Sequence, residues 1–308
     1  MKNSLFISLA ILALAAGCAS TMPAPSPHVV KTISAEAGKT AGSFRDEMLG
    51  KCRPAIRRFY RETENQLLIP IRFLPLADNA PVAAASRYDS DKDEAVLLVR
   101  LDAEDVDIAH ELMHFRLDLV DRFTVLAWRR NVTPDPAIEK AYGRIRTYID
   151  DDIVHRRLVK LGMKPDGEVI RPALFNQLYA PAAANLEKGA PREHDGLGHL
   201  DACGRGTLCR AAFLIQAEQI LAQYGKSLTP DHRAKTERFI RAFRAHRPEE
   251  SAVADKVLAL FAKYDVNTDA GHQAISDGWI EIEGLTPYIG STRFAPRYDL
   301  PFPPDLKK

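Results

Sequence analysis

Asp107-Ile108-Ala109-His110-Glu111-Leu112-Met113-His114-Phe115-Arg116 is the stretch from which the rest of the chain is read. His110 and His114 are four residues apart, so on a helix both imidazoles leave one face and reach a single ion. Glu111 sits one position round, where its carboxylate reaches a water on that ion without ligating it. Two neutral nitrogens beside a base form the donor set of metal-assisted hydrolysis. The surroundings agree with a helix. Asp102 followed by Asp105 reads as an N-cap with an acidic N3 position. Val106, Met113 and Leu117, with Ile108, Leu112 and Leu119, recur at helical spacing, and no Pro or Gly interrupts Asp102 to Arg130.

Upstream, Glu94 to Leu101 is the clearest strand of the chain and runs directly into this helix. Leu67 to Leu74 reads as another strand, its Pro70 marking an edge. Val82 to Tyr88 reads as a short third. The alternating acids of Asp89 to Asp93 lack the later Gly and Glu of a calcium loop, so the segment reads as a solvated hairpin tip. Residues 43–65 carry Phe44, Met48, Ile56, Phe59 and Tyr60 near helical spacing, with Pro54 as a start or break.

His110-Glu111-x-x-His114 resembles the signature of the zincin metallopeptidases. The order of strand, short connection and metal-binding helix is similar too. That resemblance covers roughly residues 94–160. It implies an α+β fold, with a small antiparallel or mixed sheet packed on the motif helix and a mostly helical C-terminal half. It implies a zinc cofactor (Zn2+) on His110 and His114, with Glu111 as general base. It also implies a cleft lined by the 94–101 strand, which would receive an extended peptide through main-chain hydrogen bonds.

A catalytic zinc needs a third protein ligand. Phe115 to Val120 supplies neither the Gly nor the third His of the metzincins. Gluzincin-like proteins take a carboxylate from a later helix, and Pro136 to Gly162 reads as such a helix. It holds Asp150-Asp151-Asp152, then His155, beside the apolar stripe Ile145, Ile149 and Ile153. The resemblance points to Asp151, with Asp150, Asp152 and His155 left open as alternatives. Asp in place of the usual Glu shortens the reach by one methylene. A different reading makes the acids a patch balanced by Arg144, Arg146, Arg156 and Arg157.

The first residues read as a targeting segment. A short positive start and an apolar run from Leu5 to Ala16 end in Leu14-Ala15-Ala16-Gly17-Cys18, which resembles a bacterial lipobox. Residues 1–17 are then a signal peptide, and residues 18–42 a lipidated Cys18 with a Pro-rich tether. The expected location is the cell envelope, lipid-anchored at the periplasmic face of the outer membrane. The core spans 43–162 and a helical C-terminal part spans 163–308. Of the 4 cysteines, Cys203 and Cys209 read as a small loop disulfide in an oxidising compartment, and Cys52 as either a third partner or a buried free thiol. A Cys/His metal site with His194 and His199 is the alternative. A net charge of +1 gives no field for nucleic acid.

After Gly162 the pattern is mostly helical: a short segment at Ala173 to Tyr179, a strong amphipathic run at 211–221 ending near Gly225, another from Thr229 to His246, and a third capped by Ser251. The tail after Gly278, rich in Pro, reads as an extended surface segment. His194, His199, Tyr142, Tyr148 and Tyr179 are candidate donors to a developing oxyanion. The chain is therefore expected to be an envelope zinc metallopeptidase acting on a peptide or protein substrate. The other readings are a non-catalytic binding or assembly lipoprotein on the same scaffold, and a cell-wall amidase. Oligomeric state is not legible.

Overall fold

The structure is a computed structural model that describes residues 41–293, apart from 68, 81, 90, 91, 130, 131, 134 and 198–205, and apart from some side chains near these gaps. Cys18, Cys203, His199, residues 18–40 of the expected tether and the last fifteen residues lie outside the described residues, and the expected tether's last two residues, 41 and 42, begin a helix. So does the side chain of Cys209, and with it the proposed disulfide.

The architecture is α+β, with small sheets and a helical C-terminal half. Helices α1 (Ala41–Lys51) and α2 (Pro54–Gln66) break at Cys52 and Arg53, because Pro54 at the first turn of α2 cannot continue the preceding helix. Cys52 is a buried free thiol, its Sγ 3.3 Å from the Met48 carbonyl.

Strands β1 (Ile71–Pro75), β2 (Ala84–Asp89) and β3 (Glu94–Val99) form one sheet in the order β1-β3-β2. β1 runs parallel to β3 and β2 antiparallel to it. The apolar strand 94–99 is therefore central and covered on both edges. β1 and β2 are the edge strands, and Asp93 takes a left-handed φ of 52° in the hairpin turn.

The motif helix α3 (Asp105–Phe115) packs on this sheet. Its cap lies two residues later than Asp102. Glu104 and Asp107 form a reciprocal capping box, and Arg171 pairs with both at 2.6 and 2.7 Å. The apolar run does not stay helical to Arg130. A π-turn at Arg116–Val120 ends it, Arg122 takes φ 55°, and β4 (Thr124–Trp128) follows. β4 pairs antiparallel with β5 (Ile289–Arg293), so part of the tail expected on the surface is a strand with a buried Ile289.

Helix α4 (Pro136–Lys160) matches the expected span and ends at Gly162, whose φ is +92°. A π-turn (Leu174–Tyr179) runs into α5 (Ala180–Glu187). Then come α6 (Gly206–Tyr224), α7 (Pro230–His246), α8 (Pro248–Lys263) and α9 (Asp269–Ile282). Thr229 and Thr268 cap α7 and α9 through their hydroxyls. Ser251 lies inside α8 rather than capping it. One apolar core runs from Met48 to Ile289, and α4 packs against both α3 and the C-terminal helices α6 and α9. Among the described residues, no helix is long and apolar enough to cross a membrane.

Candidate metal centre

The 3.6-residue period puts His110 and His114 on one face of α3, and α4 crosses that face with Asp151. The two Nε2 atoms are 3.2 Å apart. Asp151 Oδ1 lies 3.4 Å from His110 Nε2 and 3.6 Å from His114 Nε2. Zinc bonds of about 2.0–2.2 Å in a tetrahedral array require ligand atoms separated by about 3.3–3.5 Å. The observed triangle has that size. Among the described residues this is the one group of three His, Cys, Asp or Glu with such convergence.

The chemistry of the donors agrees. Asp151 is buried, and its Oδ1 makes no hydrogen bond. A buried carboxylate oxygen facing two imidazole nitrogens at these distances is stabilised by a cation or by protons. Burial works to raise the Asp151 carboxyl, but the imidazoles of His110 and His114, 3.4 and 3.6 Å away, outweigh it and hold the group well below the usual carboxylate range. On His114 burial works downward, and Asp151 and Glu111 reverse it, pushing the imidazole up to about 9.

The three consecutive acids separate because neighbours on a helix point about 100° apart. Asp150 accepts from His272 Nε2 at 2.9 Å and from Arg146 Nε at 3.2 Å. Arg146 also binds Asp118. Burial alone would raise Asp150, but His272 and Arg146 bring it below its ordinary value. Asp152 accepts from Arg156 Nε at 3.0 Å and from Gln223. Two of the expected balancing arginines thus serve the flanking acids, and Asp151 alone joins the histidines. His155 packs its ring 5.8 Å from that of His110, and burial depresses its imidazole to about 4.

Glu111 is buried beside the ligands, and Ser86 of β2 donates to its Oε2 at 2.6 Å. A cleft of about 170 Å³ opens here. One wall is the 82–84 segment leading into β2, and the other is residues 168–174 with Gln216 and Ile220 of α6. The cleft therefore meets the edge strand β2 at its first residue, Ala84. The expectation that the 94–101 strand lines it fails, since β3 is hydrogen-bonded on both sides.

Sequence reading did not find Ser86, His272 or Arg171. Ser86 reaches Glu111 only through the β2–β3 register, and His272 lies 122 residues from its partner. Gln216, Gln219 and Gln223 are a signal that was present: three carboxamides at helical spacing in a mostly apolar run. Of the suggested oxyanion donors, His194 is exposed in a 3-10 turn, Tyr142 packs on Trp128, and Tyr179 donates to Gln216 at 3.2 Å. No family model matches the chain, and no curated protein or solved structure is similar to it.

Proposed function

We propose that the chain is a zinc-dependent hydrolase of the zincin type that cleaves peptide bonds. The observation that carries this reading is the triangle of His110 Nε2, His114 Nε2 and Asp151 Oδ1 beside a buried Glu111. Zinc held by these three supplies Lewis acidity to a water and to the scissile carbonyl.

The remaining work falls to the chain. Arg100 N–H donates to Ala83 O at 2.8 Å, which makes residues 83, 85, 87 and 89 the ones bonded to β3. The main-chain groups of Ala84, Ser86 and Tyr88 then face the free edge. An extended peptide pairing there lies over the ligand face. Glu111 takes a proton from water as its oxygen attacks the carbonyl carbon, then delivers that proton to the leaving nitrogen as the C–N bond breaks. Ser86 fixes the carboxylate by holding Oε2. His155, which lines the cleft and is kept neutral by burial, would donate to the developing negative charge.

The expected export and lipid anchoring at Cys18 direct this reading to envelope peptides or proteins. The test is metal analysis of the purified protein beside Glu111→Gln. One zinc per chain in both, with peptide hydrolysis reduced about 10²- to 10⁴-fold in the variant, supports the reading. Zinc with no turnover on casein, peptides or muropeptides in the unaltered protein moves it to a binding module. No zinc at all removes it.

A further inference from the structure

The face of α4 that carries Asp151 does not end at the metal ligands. Tyr148, Asp151, Asp152 and His155 are spaced i, i+3, i+4 and i+7, so they form one stripe. It faces a stripe on α6 made of Gln216, Gln219, Ile220, Gln223 and Tyr224. Helices that pack inside a core normally meet through apolar ridges. Here a polar seam is buried between α4 and α6, next to the candidate metal centre.

The seam lines a small, partly open chamber of about 20 Å³ that adjoins Asp151 and His155. Both of these also line the cleft, as do Gln216 and Ile220. Tyr148 is 4 % exposed and Tyr224 is 7 % exposed. The hydroxyls of both, and the Gln219 Nε2 amide, are buried and have no protein hydrogen bond of good geometry, although the Arg144 guanidinium lies close to the Tyr148 hydroxyl. Buried polar groups are satisfied in nearly all native proteins. A void of this size holds one water, and a water needs two to four polar partners. The chemistry excludes other occupants. Asp151 and Asp152 repel an anion, a peptide side chain is too large, and an apolar guest would leave three polar groups unmatched.

We propose that this chamber is a hydration site, whose bound water links Tyr148, Gln219 and Tyr224 and braces Asp151 and His155 from behind. The bracing role rests on the metal reading of the preceding subsection; the hydration itself does not. Groups that orient metal ligands from outside the first ring change metal affinity by about 10- to 100-fold when removed. Tyr148→Phe and Gln219→Leu remove the water's partners while keeping most of the volume.

The test pairs a crystal structure of the zinc-free protein with zinc titration against a chromogenic chelator. The expected result is density for a water within hydrogen-bond distance of Tyr148 Oη and Gln219 Nε2. The variants should bind zinc at least tenfold more weakly while the thermal midpoint of the zinc-free form stays level or rises, since a purely structural pair would lower that midpoint. A dry chamber, or Gln219 turned to bond Tyr148 directly, overturns the hydration site. Water present with unchanged zinc affinity overturns the bracing role. If the unaltered protein binds no zinc, the bracing role falls together with the metal reading, and the density still decides the hydration site.

Discussion

His114 is the motif residue whose protonation the surroundings change. Its imidazole is raised to about 9 because Asp151 and Glu111 outweigh burial. A raised folded-state value means stability that is fully present below the ordinary histidine range, near 6.5, and is lost as pH climbs towards 9. In the zinc-free protein this contribution fades across that window. Zinc needs the neutral ring, so binding must expel this proton. Zinc affinity is therefore expected to rise about tenfold per pH unit from pH 7 and to level off near 9. Chelator competition at four pH values checks it, and a flat profile would show that no proton sits between the ligands. Asp151 contributes in the other direction. Its depressed carboxyl gives stability that is present above the ordinary carboxylate range and is lost as pH falls through it.

β2 is the element on which the substrate hypothesis turns. Its alternation makes a paired experiment. In Ala84→Pro the missing N–H is one that faces the free edge, so the fold should survive. Loss of one substrate hydrogen bond should raise KM about 5- to 10-fold with kcat nearly unchanged. Ala85→Pro removes an N–H that bonds β3, and proline inside a ladder breaks it. That protein should be clearly destabilised in urea. Equal effects of the two substitutions on KM, at preserved stability, would rule out edge pairing. The same strand shows what sequence patterning misses. The apolar run 94–99 announces a buried strand, and being buried on both edges is the reason it cannot receive a substrate. The half-polar 84–89 segment has a weaker pattern and holds the free edge on which the proposed pairing depends.

The described residues share one apolar core, and the candidate metal centre is assembled across it. α4 supplies Asp151 while α9 supplies His272, 2.9 Å from Asp150. His272→Ala would leave a buried carboxylate short of a donor and should cost about 1–3 kcal/mol of stability. The measurement is the urea midpoint at constant m-value. A change within experimental error would show that Arg146 alone satisfies Asp150. The C-terminal helices cover α4 and line the cleft through Gln216 and Ile220, so the region after Gly162 belongs to the site as well as to the scaffold.

The sequence alone established whatever depends on short separations. The i, i+4 histidines, the long helix from Pro136, the proline break at 54 and the helical character after Gly162 are all local consequences of period and backbone restriction. Reading three acids and a histidine as alternatives for one ligand was as far as local information reached. Their side chains leave the helix about 100° apart, and only the crossing of α3 over α4 decides which one meets the imidazoles. Tertiary structure also decided that β3 is central, that β4 and β5 pair across more than 150 residues, and that Ser86 meets Glu111. Each of these depends on register and packing between distant segments, and no periodicity within either segment encodes that.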